Sequence, residues 1–321
     1  MGPAPAVAHV RSAVRAALVD AADTVLVACS GGADSVALAA AVAFEAPRCG
    51  RRAGLVTVDH GLQTGSAAVA ASVAALGAEL GLDPVHAVVV EVGAVGGPEA
   101  AARTARYAAL TDLARAHRAD MLLGHTLDDQ AETVLLGLGR GSGPRSMAAM
   151  TPRSGALVRP LLRLRRATTE AACAALGLPV WNDPQNRDPA YQRVRLRTEA
   201  LPLLEEILQG GVAEALARTA DLLRADLDAL DDWAAHAVDT SADELDVAVL
   251  VPLPEAVRTR VLRAWAARAG AAPLSAERTA ALDALVSDWH GQGPIELPGN
   301  RAVRRLGPRL VVSVDPPGRG L

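Results

Sequence analysis

The first 140 residues alternate short apolar runs with longer amphipathic ones, and this alternation constrains the fold more than any other feature of the sequence. The apolar runs have the length and β-branched content of strands, and the segments between them have helical spacing. Nearly continuous apolar strands that alternate with helices indicate a parallel sheet covered on both faces. We therefore expect an α/β fold with a doubly wound, mostly parallel sheet. The predicted strands span residues 24–29, 53–59, 83–92 and 119–124, and the predicted helices span 36–44, 66–81, 98–118 and 126–140.

A change of pattern after this region indicates a second, smaller domain. Residues 141–156 are rich in Gly, Pro, Ser and Met, which is typical of a loop. From about residue 190 to 290 the pattern is mostly helical, with a break at Gly210-Gly211, and the last residues resemble two short strands around a turn. We place the boundary near Gly210. This gives a main domain over 1–210 and a mostly helical domain over 211–321 that ends in a short β-hairpin.

The composition excludes several classes of site. All 32 basic residues are arginine, so the chain has no lysine for a GxxxxGK[ST] phosphate loop or for a Schiff base. Cys29, Cys49 and Cys173 form no C-x-x-C pair, which argues against a disulfide framework, a zinc site or a cysteine-ligated cluster. No apolar stretch predicts a membrane span, and the N-terminus does not resemble a secretory signal. We therefore expect a cytoplasmic protein.

Charge is distributed unevenly along the chain. The net charge is −4, yet residues 133–169 contain seven arginines and no acid, whereas residues 221–246 contain nine acids and one arginine. A polarised chain of this kind can present a basic face to a polyanion while it stays acidic overall. The alternative is two solvated faces of opposite sign, and charge alone leaves both interpretations open.

The hexapeptide SGGADS, residues 30–35, lies between a predicted buried strand and the start of a helix. The amides of a helix N-terminus are unpaired and the helix dipole favours an anion, so this position suits a phosphate. Glycine allows a close approach of the backbone, and serine adds hydroxyl donors. Asp34 would repel a phosphate unless Mg²⁺ lies between them, which predicts a metal-bridged site with Asp34 as ligand. The candidate nucleotide-binding residues here are Ser30, Gly31, Gly32, Ala33, Asp34 and Ser35.

A second polar motif, HTLDDQAET at residues 125–133, follows the fourth predicted strand. His125 lies at the carboxyl edge of the sheet, where open α/β sheets bind ligands. Asp129 and Glu132 are three residues apart on the first helical turns, so their carboxylates share a face that could hold a cationic amine. The alternative is that Thr126 caps the helix and the acids only complement its dipole.

The motifs taken together resemble a known family. SGGADS resembles the pyrophosphatase loop of the N-type ATP pyrophosphatase superfamily, whose members split ATP between the α- and β-phosphates to adenylylate a carbonyl-type oxygen. The order of the motifs resembles the tRNA(Ile)-lysidine synthases, most densely over residues 24–205. The remaining motifs are VDHGLQ at 58–63, HTLDDQAET at 125–133, VLLGLGRGSG at 134–143, RPLL at 159–162 and the stretch from Asn182 to Pro202.

The resemblance implies a fold, a reaction and a set of partners. The fold would be an adenine nucleotide alpha hydrolase-like domain, followed by a tRNA-binding domain. ATP, with Mg²⁺, would adenylylate O2 of the wobble cytidine in an isoleucine tRNA with a CAU anticodon and release pyrophosphate. The amine of free L-lysine would then attack C2 and expel AMP to give lysidine. A homodimer is an option that the sequence leaves open.

The resemblance also implies roles for single residues. Asp129 and Glu132 would hold the substrate lysine, and His125 would lie near the reacting groups. Arg106, on the helix 98–118, would point toward the ATP phosphates. The end of the second strand would lie near adenine or ribose, which makes Asp59 and His60 cofactor candidates. The tRNA candidates are Arg140, Arg145, Arg159, Arg163, Arg165 and Arg166.

Three arginines at alternate positions, Arg193, Arg195 and Arg197, complete the candidates. A helix would spread them around its surface, so we expect one to be functional and take Arg195 as the catalytic candidate. The sequence departs from the family pattern here, because Val194 stands where the family usually has asparagine. It departs again at Thr126, where a second histidine is typical.

Other functions fit the sequence less well. A tRNA 2-thiocytidine synthase would need cysteines that carry sulfur or a cluster, and an amidotransferase-coupled synthetase would need a glutaminase domain. A nucleotide-binding regulator with a decayed site is a rival from another class. The acidic residues of both motifs, together with His125, argue against decay, and ATP–pyrophosphate exchange would separate the regulator from an enzyme.

Overall fold

The main sheet of the computed structural model has six strands in the order β3-β2-β1-β4-β6-β5. Its strands β1 to β4 are parallel and correspond to the predicted ones, which confirms the α/β prediction. The strands are β1 (Thr24–Ala28), β2 (Arg52–Asp59), β3 (Val85–Val89), β4 (Asp120–Leu123), β5 (Arg153–Ser154) and β6 (Leu157–Val158). The structure describes residues 2–59, 61, 65–90, 93, 98–141, 143–183 and 188–314.

Helices cover both faces of this sheet, at the positions that the alternation predicts. The first helix is an addition to the prediction, although Val7, Val10, Val14 and Leu18 recur at helical spacing and are all buried. The helices are α1 (Pro5–Leu18), α2 (Ala33–Glu45), α3 (Ser66–Glu79), α4 (Pro98–His117), α5 (Leu127–Gly139), α6 (Pro144–Met147), α7 (Arg166–Leu176), α8 (Gln192–Arg195) and α9 (Leu201–Ile207).

The apolar residues of the central strands alternate between two core clusters, one on each face of the sheet. In β1, Val25 and Val27 belong to the cluster formed with α1, α2, α3 and α7, whereas Leu26 belongs to the cluster formed with α4. In β4, Leu122 packs in the first cluster and Met121 in the second. Burial on both faces explains why these strands are apolar throughout rather than alternating with polar residues.

The strand order reverses between β1 and β4. β1 pairs in parallel with both β2 and β4, so the chain leaves β1 toward one edge of the sheet and returns through β4 on the other side. Such a reversal opens a crevice at the carboxyl ends of the two strands, where α/β sheets bind ligands. The two polar motifs, residues 30–35 and 125–133, both begin at this crevice, just after β1 and β4.

The chain divides into two compact units between Asp221 and Leu222, later than the boundary predicted at Gly210. A break in the helical pattern at Gly210 is real, because α10 (Val212–Ala237) begins just after it. The first turn of α10, however, belongs to the first unit, since Val212 packs in a cluster with Leu127 of α5. A glycine pair marks the end of a helix, whereas the packing of apolar side chains determines a domain boundary.

The second unit combines helices with an antiparallel sheet of four strands in the order β7-β10-β9-β8. The predicted hairpin is present as β9 and β10, but it is part of this larger sheet. β7 and β8 have three residues each, too few to show an alternating pattern in the sequence. The remaining elements are β7 (Glu244–Asp246), α11 (Val247–Leu250), α12 (Glu255–Arg268), α13 (Ala276–Ser287), β8 (Ile295–Leu297), β9 (Arg301–Leu306) and β10 (Arg309–Val314).

The core of the second unit contains the buried Trp265, whose indole N–H donates to the Ala242 carbonyl at 2.9 Å. Within the described part of the chain, the helices are all too short or too polar to cross a membrane.

Candidate active site

The loop between β1 and α2 is held in shape by its own side chains. The Ser35 hydroxyl accepts a hydrogen bond from the Ser30 amide at 3.1 Å and donates one to the Gly32 carbonyl at 2.9 Å. Gly31 has φ +87°, and a Cβ there would lie 3.1 Å from Cγ2 of Val73, so the position requires glycine. Gly32 is the N-cap of α2, so the first amides of the helix, which have no intrahelical partner, face the crevice.

A close approach of backbones joins this loop to the end of β4. A Cβ at Gly124 would lie 3.1 Å from both the carbonyl carbon and the carbonyl oxygen of Asp34. A larger residue would therefore push the first turn of α2 away from β4. Sequence reasoning did not single out Gly124, because glycine before His125 is indistinguishable there from an ordinary turn residue.

A cavity of about 830 Å³ opens at the carboxyl ends of β1, β2 and β4, within the size range of small-molecule sites. Side chains such as Val56, Val69 and Leu110 make part of its wall apolar, and the loop makes another part polar. Gly31 contributes to the loop but not to the lining, and His60 lies outside the described residues. The predicted residues that line the cavity are Ser30, Gly32, Ala33, Asp34, Ser35, Asp59, Arg106, His125 and Asp129.

Arg166, the first residue of α7, connects the loop to α5 through carboxylates. Its Nε donates to Asp34 Oδ2 at 3.2 Å and its Nη2 donates to Asp129 Oδ1 at 2.7 Å, while its backbone amide donates to Asp128 at 2.7 Å. The side chain is only 17% exposed. Carboxylates thus hold the guanidinium of Arg166 in the cavity wall, and its predicted contact with tRNA stays a prediction.

Glu132 is fully buried and is surrounded by guanidinium groups. Arg197 binds it with two hydrogen bonds, of 2.8 and 3.2 Å, and nitrogens of Arg166 and Arg193 lie 3.5 and 3.8 Å from its carboxylate oxygens. Glu132 does not line the cavity, but Arg197 does. The carboxylate therefore lies behind the Arg197 side chain, and no signal in the sequence distinguished it from Asp129.

Of the three alternating arginines, Arg197 lines the cavity, whereas Arg195, the catalytic candidate from the sequence, does not. Arg195 is 62% exposed and pairs with Glu199 one turn along the same helix, at 2.9 Å. Residues 196–200 form a π-helical turn, which changes the angular spacing of the side chains and brings Arg197 over Glu132. The predicted alternation of these arginines assumed a regular helix.

Asp129 caps α5, as one of the two alternatives predicts, and it also lines the cavity. Its Oδ2 accepts hydrogen bonds from the Thr126 amide at 2.8 Å and from the Thr126 hydroxyl at 3.0 Å, which completes a capping box. Its other oxygen binds Arg166, and the residue lines the cavity. Capping thus fixes the carboxylate of Asp129 at the mouth of the crevice.

Asp34 and Asp129, two of the acidic residues that line the cavity, have pKa values shifted in opposite directions. Burial raises the pKa of Asp34, and hydrogen bonds from Thr169 and Arg166 only partly offset this effect. Burial also acts against ionisation of Asp129, but the charge of Arg166 and the Thr126 amide hold its pKa below the ordinary value. Asp129 is therefore an anion at neutral pH, whereas Asp34 protonates more readily than an exposed aspartate.

Two basic groups of the cavity, His125 and Arg106, have lowered pKa values because they are buried. Burial lowers the pKa of His125 to about 4, although the neighbouring Asp129 acts in the opposite direction. Its Nδ1 is buried and has no hydrogen-bond partner among the described residues. Burial also lowers the pKa of Arg106, which stands beside Tyr107. The imidazole is thus neutral at physiological pH.

The other arginines predicted to contact tRNA have different environments. Arg140, Arg145 and Arg163 are exposed. Arg165 pairs with Asp128, Glu205 and Glu214, at 3.2, 3.6 and 3.1 Å.

Arg159 is 9% exposed and donates to the Thr151 carbonyl at 2.9 Å, so it anchors the loop after α6, and its predicted contact with tRNA stays a prediction.

Two models of known protein domains match this chain. A model of the PP-loop domain matches residues 7–204, and a model of the TilS substrate binding domain matches residues 245–310. The solved structure of the U34-tRNA thiolase NcsA from Methanococcus maripaludis aligns with a TM-score of 0.56 at 17% identity, over 68% of this chain and 80% of that one. At this identity the likeness concerns the fold alone.

Curated relatives are similar over nearly the whole chain. The tRNA(Ile)-lysidine synthase of Thermobifida fusca is 58% identical, over 98% of this chain and 99% of the relative. That of Streptomyces coelicolor is 53% identical over 97% and 99%, and that of Mycobacterium tuberculosis is 49% identical over 90% and 88%. With these relatives and the two matching domain models, the resemblance of the motifs is confirmed, and the chain belongs to the tRNA(Ile)-lysidine synthase family.

Proposed function

We propose that the protein uses ATP to ligate L-lysine to C2 of the wobble cytidine in an isoleucine tRNA with a CAU anticodon, and releases AMP and pyrophosphate. The observation that carries the proposal is the cavity at the β1/β4 crevice, which joins a phosphate-type loop, residues 30–35, to the acidic start of α5. The two chemical steps, adenylylation and attack by an amine, need an anion site and a cation site within reach of one base. A cytoplasmic place of action is part of the same proposal.

The loop and the cations of the cavity suit the leaving pyrophosphate. Bond breaking between the α- and β-phosphates builds negative charge on the departing oxygens. The first amides of α2, the Ser30 hydroxyl and Arg106 are donors fixed before the reaction, and such preorganised donors stabilise charge that develops in a transition state. Arg166, which also lines the cavity, adds a further positive charge.

The residues that line the cavity fit a magnesium ion that is held mainly by phosphate oxygens of ATP. No group of three or more His, Cys, Asp or Glu residues within the described ranges could hold a metal ion by itself. Asp34 lines the cavity and is partly exposed, and one carboxylate together with phosphates and water is a common set of Mg²⁺ ligands. Bound there, Mg²⁺ would neutralise phosphate charge, and Asp34 would have to exchange its contact with Arg166 for the metal.

The lysine step would use Asp129 and His125. Attack of the side-chain amine on C2 forms the C–N bond, breaks the bond from C2 to the adenylylated oxygen and expels AMP. The attacking nitrogen must lose a proton, and the unprotonated His125 imidazole is an acceptor with a free Nδ1. Asp129 is a carboxylate of the cavity lining whose pKa is lowered, so it is ionised and would contact the substrate ammonium. Glu132 would act through Arg197, or directly only after Arg197 moves.

Incubation with ATP, labelled lysine and an isoleucine tRNA transcript with a CAU anticodon tests the proposal. We expect label in the transcript and equal amounts of AMP and pyrophosphate, and no label when the wobble cytidine is replaced by uridine. Asp34→Ala should abolish AMP formation while the fold stays intact. Asp112→Ala is the matched control, since Asp112 is 71% exposed and pairs only with its helix neighbour Arg115. ATP–pyrophosphate exchange without lysidine would indicate another acceptor.

A further inference from the structure

Trp181 lies directly on the phosphate-type loop. Its backbone amide donates to the Gly31 carbonyl at 2.9 Å, and its Cβ lies 3.4 Å from the position that a Cβ of Gly31 would occupy. Two residues of the same segment, Leu178 and Val180, pack against the core cluster of α1, α2 and α7. The backbone that carries the indole is therefore fixed on one side by the loop and on the other by the core.

The indole itself is a large, half-buried aromatic group in the wall of the cavity. Its N–H has no hydrogen-bond partner among the described residues, and its ring has no aromatic or cationic neighbour there. Trp265, by contrast, is 1% exposed and hydrogen bonded, and the ring of Trp289 is covered by Arg305 at 5.4 Å. The indole of Trp181 is thus the one aromatic surface that the described part of the cavity offers to a ligand.

The chemistry of the cavity indicates which ligand suits such a surface. Phosphate donors lie on the loop under Trp181, and the substrates of the proposed reaction combine phosphates with planar bases. Indole faces stack on nucleobases, and an indole with only two side-chain torsions, on a fixed backbone, loses little entropy when it does so. Aromatic residues make up 2% of the chain, so their scarcity elsewhere makes this position stand out.

We propose that Trp181 is a nucleobase-stacking wall of the cavity. This inference rests on the proposed function, which supplies two bases, the adenine of ATP and the extruded anticodon base of the tRNA. Trp181 would hold one of these two bases beside the loop of residues 30–35. The distance between the ATP phosphates and the reacting base would then stay fixed. Its contribution is to binding and orientation, and it takes no part in proton transfer.

The test compares Trp181→Leu with Trp181→Phe in the full chain. Stacking on a base corresponds to about a 5- to 150-fold change in binding, so we expect the leucine variant to raise one KM by a factor in this range. Phenylalanine keeps an aromatic face and should restore that KM to within about threefold of wild type. The KM for ATP and the KM for tRNA show which substrate supplies the stacked base. Only the KM of the substrate whose base stacks on Trp181 should rise.

Binding measurements separate this inference from the proposed function. A non-hydrolysable ATP analogue and a 17-nucleotide anticodon stem-loop are titrated separately, and tryptophan emission is followed in wild type and in Trp181→Phe. Quenching in wild type that is lost in the phenylalanine variant, with the affinity kept, supports stacking. Unchanged KM values and unchanged quenching in the variants would overturn it, with thermal melting as the check on folding. Failure of the proposed function would appear differently, as wild-type protein that binds these ligands but forms no lysidine.

Discussion

The buried carboxylate of Glu132 gives the sharpest test of how the site is held together. Glu132→Gln removes one negative charge from beneath three guanidinium groups while it keeps the shape of the side chain. Loss of one partner of a buried ion pair costs about 3–5 kcal/mol. Arg197 is 31% exposed and can partly rehydrate, and glutamine retains one acceptor, so we expect a loss of about 2–3 kcal/mol in the free energy of unfolding.

For a unit of this size, such a loss corresponds to a decrease in Tm of roughly 4–12 °C. The same substitution should raise the KM for lysine about 10- to 100-fold and leave the KM for ATP nearly unchanged, because the ATP contacts come from the loop after β1. Calorimetry measures the decrease in Tm, and initial rates at varied lysine and ATP concentrations measure the two KM values. A rise in the KM for ATP with lysine unaffected would instead assign the acidic start of α5 to the metal.

A double-mutant cycle measures the interaction energy of the Glu132–Arg197 ion pair. The coupling energy between Glu132→Gln and Arg197→Gln should be at least about 1 kcal/mol, because the double mutant no longer buries an unpaired group. The matched control is the exposed pair Arg195 and Glu199 on the same helical stretch, where the coupling should stay below about 0.5 kcal/mol. Equal couplings in the two cycles, together with an unchanged Tm for Glu132→Gln, would refute the buried network.

Three further predictions concern the loop, the basic surface and pH. Gly124→Ala should raise the KM for ATP and lower Tm, because its Cβ would meet the backbone of Asp34 at 3.1 Å, whereas Gly139→Ala, with nothing within 4 Å, should leave that KM unchanged in the same assay. Arg163→Gln, at a side chain 88% exposed, should reduce the slope of log Kd for tRNA against log salt concentration by up to roughly 0.7–0.9, and an unchanged slope would mean that Arg163 faces solvent. Burial holds the pKa of His125 at about 4 in the folded protein, against about 6.5 in an unfolded chain. The unfolded state therefore binds more protons, and the free energy of unfolding decreases as pH falls from about 6.5 toward 4. Thermal melts over this pH range should show a smaller decrease in Tm for His125→Gln than for wild type.

The positions of the two polar motifs could be predicted because they depend on local pattern. Strand β1 is apolar throughout and the SGGADS hexapeptide must follow it, so the loop could only lie at the end of a buried strand. The same holds for His125 after β4. Parallel strands present their carboxyl ends at one edge of a sheet, and this rule places both motifs together without knowledge of any contact.

The partners of the charged side chains could not be predicted in this way. Arg166 lies in a run of arginines that suggests a basic surface, yet its guanidinium binds Asp34 and Asp129. A charge run in the sequence does not show which member faces inward, because the direction depends on where distant carboxylates are buried. The π-helical turn likewise decided between Arg195 and Arg197, and a one-residue change in helical register leaves no mark in the composition.

The sequence by itself therefore determined the class of fold, the loop and the family, since each depends on spacing along the chain. Only the tertiary structure decided how the charges are paired, where Trp181 stands and that the first unit extends into α10. Glu132 and Arg197 are 65 residues apart in the chain and form their ion pair only because α5 and the π-helical turn pack together. Long-range pairing of this kind is set by the global minimum of burial and electrostatic energy, to which every element of the fold contributes.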